Sequence, residues 1–169
     1  IDEIFDVENY CFELFDQDGG SHSCTETTSS QIEFQASSGY YMVSEDEVVL
    51  DIEGDVLNET FPIVLNQGWN LIGHPLVSKV LVDSLEVIDP NNFYGVPMTW
   101  DEAVSSQLLT SSIHGFDNEL KMHTPVDVLE PFRGYWVHAS RALQLMVSPH
   151  IYDEDLYNQE DSFLLSIST

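Results

Sequence analysis

Phe15-Asp16-Gln17-Asp18-Gly19-Gly20 opens with carboxylates at alternate positions, and Glu26 follows as a further oxygen donor. Hard cations take oxygen ligands from such loops, so Asp16, Asp18 and Glu26 are the candidate calcium ligands and calcium is the one cofactor expected. The run lacks a third acidic ligand at the next alternate position and the acidic closure of an EF-hand, which leaves a polar turn as the competing reading. A second acidic cluster, Asp153, Glu154, Asp155, Glu160 and Asp161, has no defined spacing and reads as a solvated run.

The remaining reactive residue types form no catalytic pattern. The six histidines, His22, His74, His114, His123, His138 and His150, are scattered without H-x-x-x-H spacing or a cysteine companion, which argues against zinc. Ser21-His22-Ser23 places nucleophile and base next to each other in sequence, where they rarely face each other, and no nucleophile elbow is present. With 30 Asp and Glu, close carboxylate pairs are unavoidable and say nothing about glycoside hydrolysis. The expectation is a protein that is not an enzyme. Cys11 and Cys24 flank residues 12–23 and could close that loop as a disulfide in an extracellular setting, two free thiols being the alternative. They lack the C-x-x-C spacing of redox catalysts.

Flat aromatic faces stack on sugar rings while polar side chains take the hydroxyls, so Tyr40, Tyr41, Tyr94, Tyr135 and Trp100 are candidates for a carbohydrate platform. Strand alternation turns one of Tyr40 and Tyr41, and one of Tyr135 and Trp136, inward and the other outward. Tyr94 and Trp100 are the ligand contacts singled out. Asn58-Glu59-Thr60 matches the glycosylation sequon and makes Asn58 an acceptor if the source glycosylates secreted proteins.

These groups sit in a chain of 169 residues with four basic residues, Lys79, Lys121, Arg133 and Arg141, and a formal net charge of -26. Spread over the surface expected for this mass, the carboxylates lie roughly 17 Å apart. That exceeds the Debye length of about 8 Å at physiological salt, so repulsion is tolerable there and nearly abolished at marine or higher salinity. Nucleic acid and anionic bilayers are repelled, and no basic stripe exists to neutralise phosphates. No stretch approaches the roughly 20 apolar residues of a membrane span. The chain begins at Ile1 with no basic-then-apolar leader, as expected of a processed mature chain or an excised piece.

A 43% hydrophobic content suffices for a core. Strand signals fall at Ile32 to Phe34, Gly39 to Val43, Glu47 to Glu53, Phe61 to Leu65, Trp69 to Ile72, Tyr135 to His138 and Ala142 to Val147, with Phe163, Leu165 and Ile167 alternating like a final strand. Short polar connections predict hairpins, one through Asn66-Gln67-Gly68 and two equivalent ones at 39–52 and 134–147, whose openings Gly39-Tyr40-Tyr41-Met42-Val43 and Gly134-Tyr135-Trp136-Val137-His138 repeat each other. Thr99-Trp100-Asp101-Glu102 has capping-box spacing and starts a helix whose apolar face would run through Ala103, Val104, Leu108 and Leu109. Prolines mark 89–98 and 114–131 as loops over sheet edges. The predicted fold is mainly β, an antiparallel sandwich or partly open barrel with one short helix, organised as an acidic flank at 1–30, a β-rich domain at 31–150 and an acidic tail at 151–169 ending in a possible edge strand.

Leu65-Asn66-Gln67-Gly68-Trp69-Asn70-Leu71-Ile72-Gly73-His74-Pro75-Leu76, followed downstream by Pro131-Phe132-Arg133-Gly134-Tyr135-Trp136-Val137, resembles a β-module of secreted and cell-surface bacterial proteins over residues 61–147. The resemblance implies a surface-exposed unit of a larger extracellular chain and transfers no activity or ligand. Trp69 and Trp136 then read as core residues, and the glycines as close-approach or special-dihedral positions. The function expected is a non-enzymatic extracellular structural or adhesion module, with other protein modules or copies of itself as partners. The alternatives are a carbohydrate-binding module and a filament or array subunit that exchanges its terminal strands, through Ile1, Ile4 and Phe5 or Phe163, Leu165 and Ile167.

Overall fold

In Leu143–Val147 and Gly134–Ala139 every second side chain is buried, the pattern of a strand with one face on a core. The computed structural model describes residues 3–5, 12–15, 21–23, 32–44, 48–52, 57, 59–92, 95–149 and 163–167. Asp16, Asp18, Glu26, Cys11, Cys24, Asn58 and Tyr94 lie outside the described residues, as does the 153–161 acidic cluster. In chain order the strands are β1 (Glu3–Phe5), β2 (Phe12–Phe15), β3 (Ser21–Ser23), β4 (Ile32–Phe34), β5 (Tyr41–Ser44), β6 (Val48–Ile52), β7 (Phe61–Leu65), β8 (Gly68–Gly73), β9 (Val80–Leu81), β10 (Glu86–Ile88), β11 (Met98–Thr99), β12 (Ile113–Asp117), β13 (Met122–Val126), β14 (Val128–Leu129), β15 (Gly134–Ala139), β16 (Leu143–Val147) and β17 (Phe163–Ile167). Helix α1 spans Trp100–Ser105.

The fold is mainly β and antiparallel, with one short helix. Two four-stranded sheets, β11-β10-β16-β7 and β13-β12-β15-β8, share one core. Ile63, Leu65, Val87, Leu143, Leu145 and Val147 enter it from the first sheet, and Ile72, Ile113, Tyr135, Val137 and Ala139 from the second. Smaller pairings, β3-β2-β5, β1-β4, β6-β17 and β9-β14, complete the described strands. Both outermost strands, β1 and β17, thus find their partners within the chain itself.

The predicted hairpins are absent, and the strands that should form them separate into different layers. β7 pairs with β16 and β8 with β15, so Asn66-Gln67 and Ser140-Arg141-Ala142 are corners that carry the chain from one sheet to the other. The first corner is held by Asn70. Its Oδ1 accepts from the Asn66 N–H at 2.8 Å, and its Nδ2 donates to the carbonyls of Asn66 at 2.9 Å and Gly68 at 3.0 Å. Gly68 takes φ +100°, which a side chain would resist. At the second corner the Ser140 N–H donates to the Leu108 carbonyl at 2.8 Å. β5 and β6 likewise part, β5 joining β2 and β6 joining β17. A one-layer hairpin would leave one strand of each pair without the apolar layer its alternating side chains need.

The capping box at Thr99 forms: the Glu102 N–H donates to Thr99 Oγ1 at 3.3 Å and the Thr99 N–H donates to Glu102 Oε2 at 2.9 Å. The helix stops sooner than expected, because Gln107 enters the left-handed region at φ 59°, and Leu108 and Leu109 reach the core from the loop beyond it. The stretch 114–131, predicted as loop, contains the β12–β13 hairpin, closed where Asp117 Oδ1 accepts from the N–H groups of Glu119 and Leu120. Pro125 is tolerated because β13 is an edge strand with no ladder bond to lose on that side.

Candidate functional site

Directly opposed residues of antiparallel strands share a face, and the outer face of the second sheet gathers residues that are far apart in sequence. His138 stands opposite Trp69, Trp136 opposite both Leu71 and His114, and Phe116 opposite His123. The Trp69 indole is 52% exposed and meets the imidazoles of His138 and His114 edge-on, with ring centroids 5.2 and 6.1 Å away. At the other end of the face His123 meets Phe116 at 5.3 Å and Tyr41 at 5.9 Å. His114 Nε2 is oriented by Ser112 Oγ at 3.0 Å.

A strap formed by residues 35–41 lies along the free side of β8. The Gly39 N–H donates to the Leu71 carbonyl and the Gly73 N–H to the Ser37 carbonyl, each at 3.1 Å, with Ser38 bridging Ile72. Backbone contact this close requires glycine at both points: a Cβ on Gly39 would come within 2.7 Å of the Ile72 oxygen, and one on Gly73 within 2.4 Å of the Ser38 oxygen. The strap covers Leu71 and delivers Tyr41. Trp136 Nε1–H donates to Tyr41 Oη at 2.6 Å, which leaves the phenolic hydrogen free to point at His123 Nε2, 2.8 Å away. The two repeated segments of the sequence thus touch through Tyr41 and Trp136.

Trp69 and Leu71, Gly134, Trp136 and His138, His114 and Phe116, and His123 and Pro125 line this face, with no carboxylate, lysine or arginine on it among the described residues. The described charges lie elsewhere, and three of the four cations are in ion pairs. Glu130 accepts Lys79 Nζ at 2.9 Å and lies 3.2 Å from Arg133 Nε, and the Lys79 hydrogen bond holds its carboxyl below the usual range against an opposing effect of burial. Arg141 pairs with the buried Asp89 at 3.0 Å. Burial raises the Tyr135 phenol, whose Oη accepts from the Glu130 N–H at 2.6 Å and so braces the turn that leads into β15. Burial lowers His74, only partly offset by the 2.7 Å bond of its Nε2 to the Ser78 carbonyl. An open groove of about 620 Å³ under the β12–β13 hairpin carries Asp117, Glu119, Asp127 and Glu130, but Glu130 is neutralised by its cations and Asp117 caps the hairpin turn.

Trp100, singled out as a ligand contact, is 3% exposed and belongs to the core: the capping box sets it on the inner side of α1's first turn. Trp69, expected in the core, is exposed instead, and Trp136 is half-buried. Among the described residues no group of three His, Cys, Asp or Glu side chains is arranged to hold a metal ion. Ser112 and His114 are a nucleophile type beside a base type, yet no described carboxylate bonds the other His114 nitrogen, and the contact serves to fix the imidazole against Trp69. The face was missed because it is built by register. The local signals were alternate strand residues such as Trp136 and His138 or His114 and Phe116, which share a side.

No family model, curated protein or solved structure matches the chain. No helix among the described residues is long and apolar enough to cross a membrane. Fold and site together define an antiparallel β protein built around two four-stranded sheets, with an aromatic and imidazole window on one outer face that carries no charged side chain among the described residues.

Proposed function

We propose that the chain is a non-enzymatic extracellular structural or adhesion module of a larger surface protein or assembly, and that the window centred on Trp69 is its working surface. The observation that carries this is the half-exposed Trp69 indole, fixed edge-on between two imidazoles on a sheet. An aromatic ring held at the surface by its neighbours loses little conformational entropy on contact and offers a large apolar area, the property of binding hot spots. The net charge of -26 suits a salty, open environment, and the resemblance to bacterial surface modules agrees with that placement.

The test immobilises the chain on beads and measures their retention on surfaces coated separately with polysaccharides and with proteins, beside a panel of ester, glycoside and peptide substrates. Retention lost in the Trp69→Ala, Phe116→Ala double variant, with no turnover, supports the proposal. Robust turnover abolished by Ser112→Ala would overturn it.

A further inference from the structure

We infer that the ligand of this face is a neutral, hydroxyl-rich pyranose chain, an inference that rests on the face being a binding surface. Charge selects the class. A polyanion is repelled by a protein of net charge -26, and a cationic polymer is drawn to the carboxylates, none of which among the described residues lies on this face. An uncharged ligand is left as the class for which the window is the preferred surface of the molecule.

The functional groups fit that class. The apolar face of a pyranose needs a flat ring, and Trp69 offers one at one corner of the window while Phe116, 37% exposed, offers a second at the diagonal corner. Two strand spacings and four residues of rise separate them, on the order of 16 Å, which calls for an oligosaccharide and not a single ring. Between the rings stand neutral imidazoles, which both donate and accept hydrogen bonds, as hydroxyls require. His138 makes no hydrogen bond to another described side chain, and Tyr41 Oη and His114 are held in place by Trp136 and Ser112. The imidazoles hold the indole in T-shaped contact while about half of Trp69 stays exposed for stacking.

The test is calorimetric titration of the whole chain with cellohexaose, mannohexaose and laminarihexaose, with the corresponding disaccharides, and with oligoguluronate and chitosan oligomers as charged arms. At least one neutral hexaose is expected to bind, its disaccharide more weakly. Trp69→Ala is expected to weaken the hexaose by about tenfold or more, the factor that about 1.4 kcal/mol of contact represents. Val64→Ala, at a 65% exposed site on the other sheet, serves as control and should change nothing. Absence of binding by every neutral hexaose, binding by the charged oligomers alone, or indifference to Trp69→Ala would each overturn the inference. If glycans fail while a protein-coated surface still retains the beads through Trp69, the binding-surface proposal stands and the ligand class falls. If Trp69→Ala alters neither assay, both fall.

Discussion

Gly73→Ala tests the strap that delivers Tyr41 to the window. A Cβ at position 73 would lie 2.4 Å from the Ser38 oxygen and 3.0 Å from its carbonyl carbon, and since both belong to the backbone, no side-chain rotation relieves the clash. The strap must lift. Its hold on the sheet includes the Gly39–Leu71 and Gly73–Ser37 backbone bonds and the Trp136–Tyr41 bond. At about 1 kcal/mol net each these sum to about 3 kcal/mol, and partial re-exposure of Leu71 adds about 1 kcal/mol. The expected loss is about 2–4 kcal/mol, or a fall in Tm on the order of 10 °C for a chain of this size, followed by far-UV circular dichroism. Gly134, the counterpart of Gly39 in the repeat, supplies the contrast. A Cβ there has nothing nearer than 3.5 Å, and its φ lies outside the left-handed region, so Gly134→Ala should stay within about 0.5 kcal/mol of the parent. A Gly73→Ala protein that melts like the parent, or a Gly134→Ala protein that melts as early as Gly73→Ala, would refute the close-approach reasoning.

Tyr135→Phe should cost about 1–2 kcal/mol by denaturant titration, because the Glu130 N–H loses the acceptor that braces the β14–β15 turn. His74 is held below its ordinary value of 6.5 by burial, so the unfolded chain takes up the proton first. Its contribution to stability is intact above about pH 6.5 and is lost as pH falls from there toward the lower folded value, and unfolding curves between pH 5 and 7 should be flatter for His74→Gln than for the parent. Sodium chloride and calcium chloride at matched ionic strength should stabilise equally if the charge is only screened. If Asp16 and Asp18 hold calcium, calcium adds a further increment, about 2.7 kcal/mol at one hundred times the dissociation constant, which Asp16→Asn with Asp18→Asn removes while leaving the general salt effect.

The β class was legible because alternation in stretches such as Leu143 to Val147 depends only on which side of one strand faces the core. The helix start was legible because a capping box is local to Thr99 and Glu102. Layer changes were not. A short connection with glycine signals that the chain reverses, whereas the layer change is set by the pairing of β7 with β16 and β8 with β15 and held at its corner by the bonds of the Asn70 amide. Those bonds also explain Trp69. With its amide satisfied, Asn70 can be buried, and alternation then turns Trp69 outward against the ranking by hydrophobicity. His114, His123 and His138 carry no mutual spacing in sequence and converge through the ladders of β12 with β13 and β15 and of β15 with β8.

Quenching of tryptophan emission by acrylamide, a neutral quencher indifferent to the charge of -26, interrogates the window directly. Trp69 should account for most of the quenchable emission, so that Trp69→Phe removes it, Trp100→Phe leaves it unchanged, and a saturating neutral hexaose protects it. Quenchable emission that survives Trp69→Phe but disappears with Trp100→Phe would contradict the placement of the working surface on this face.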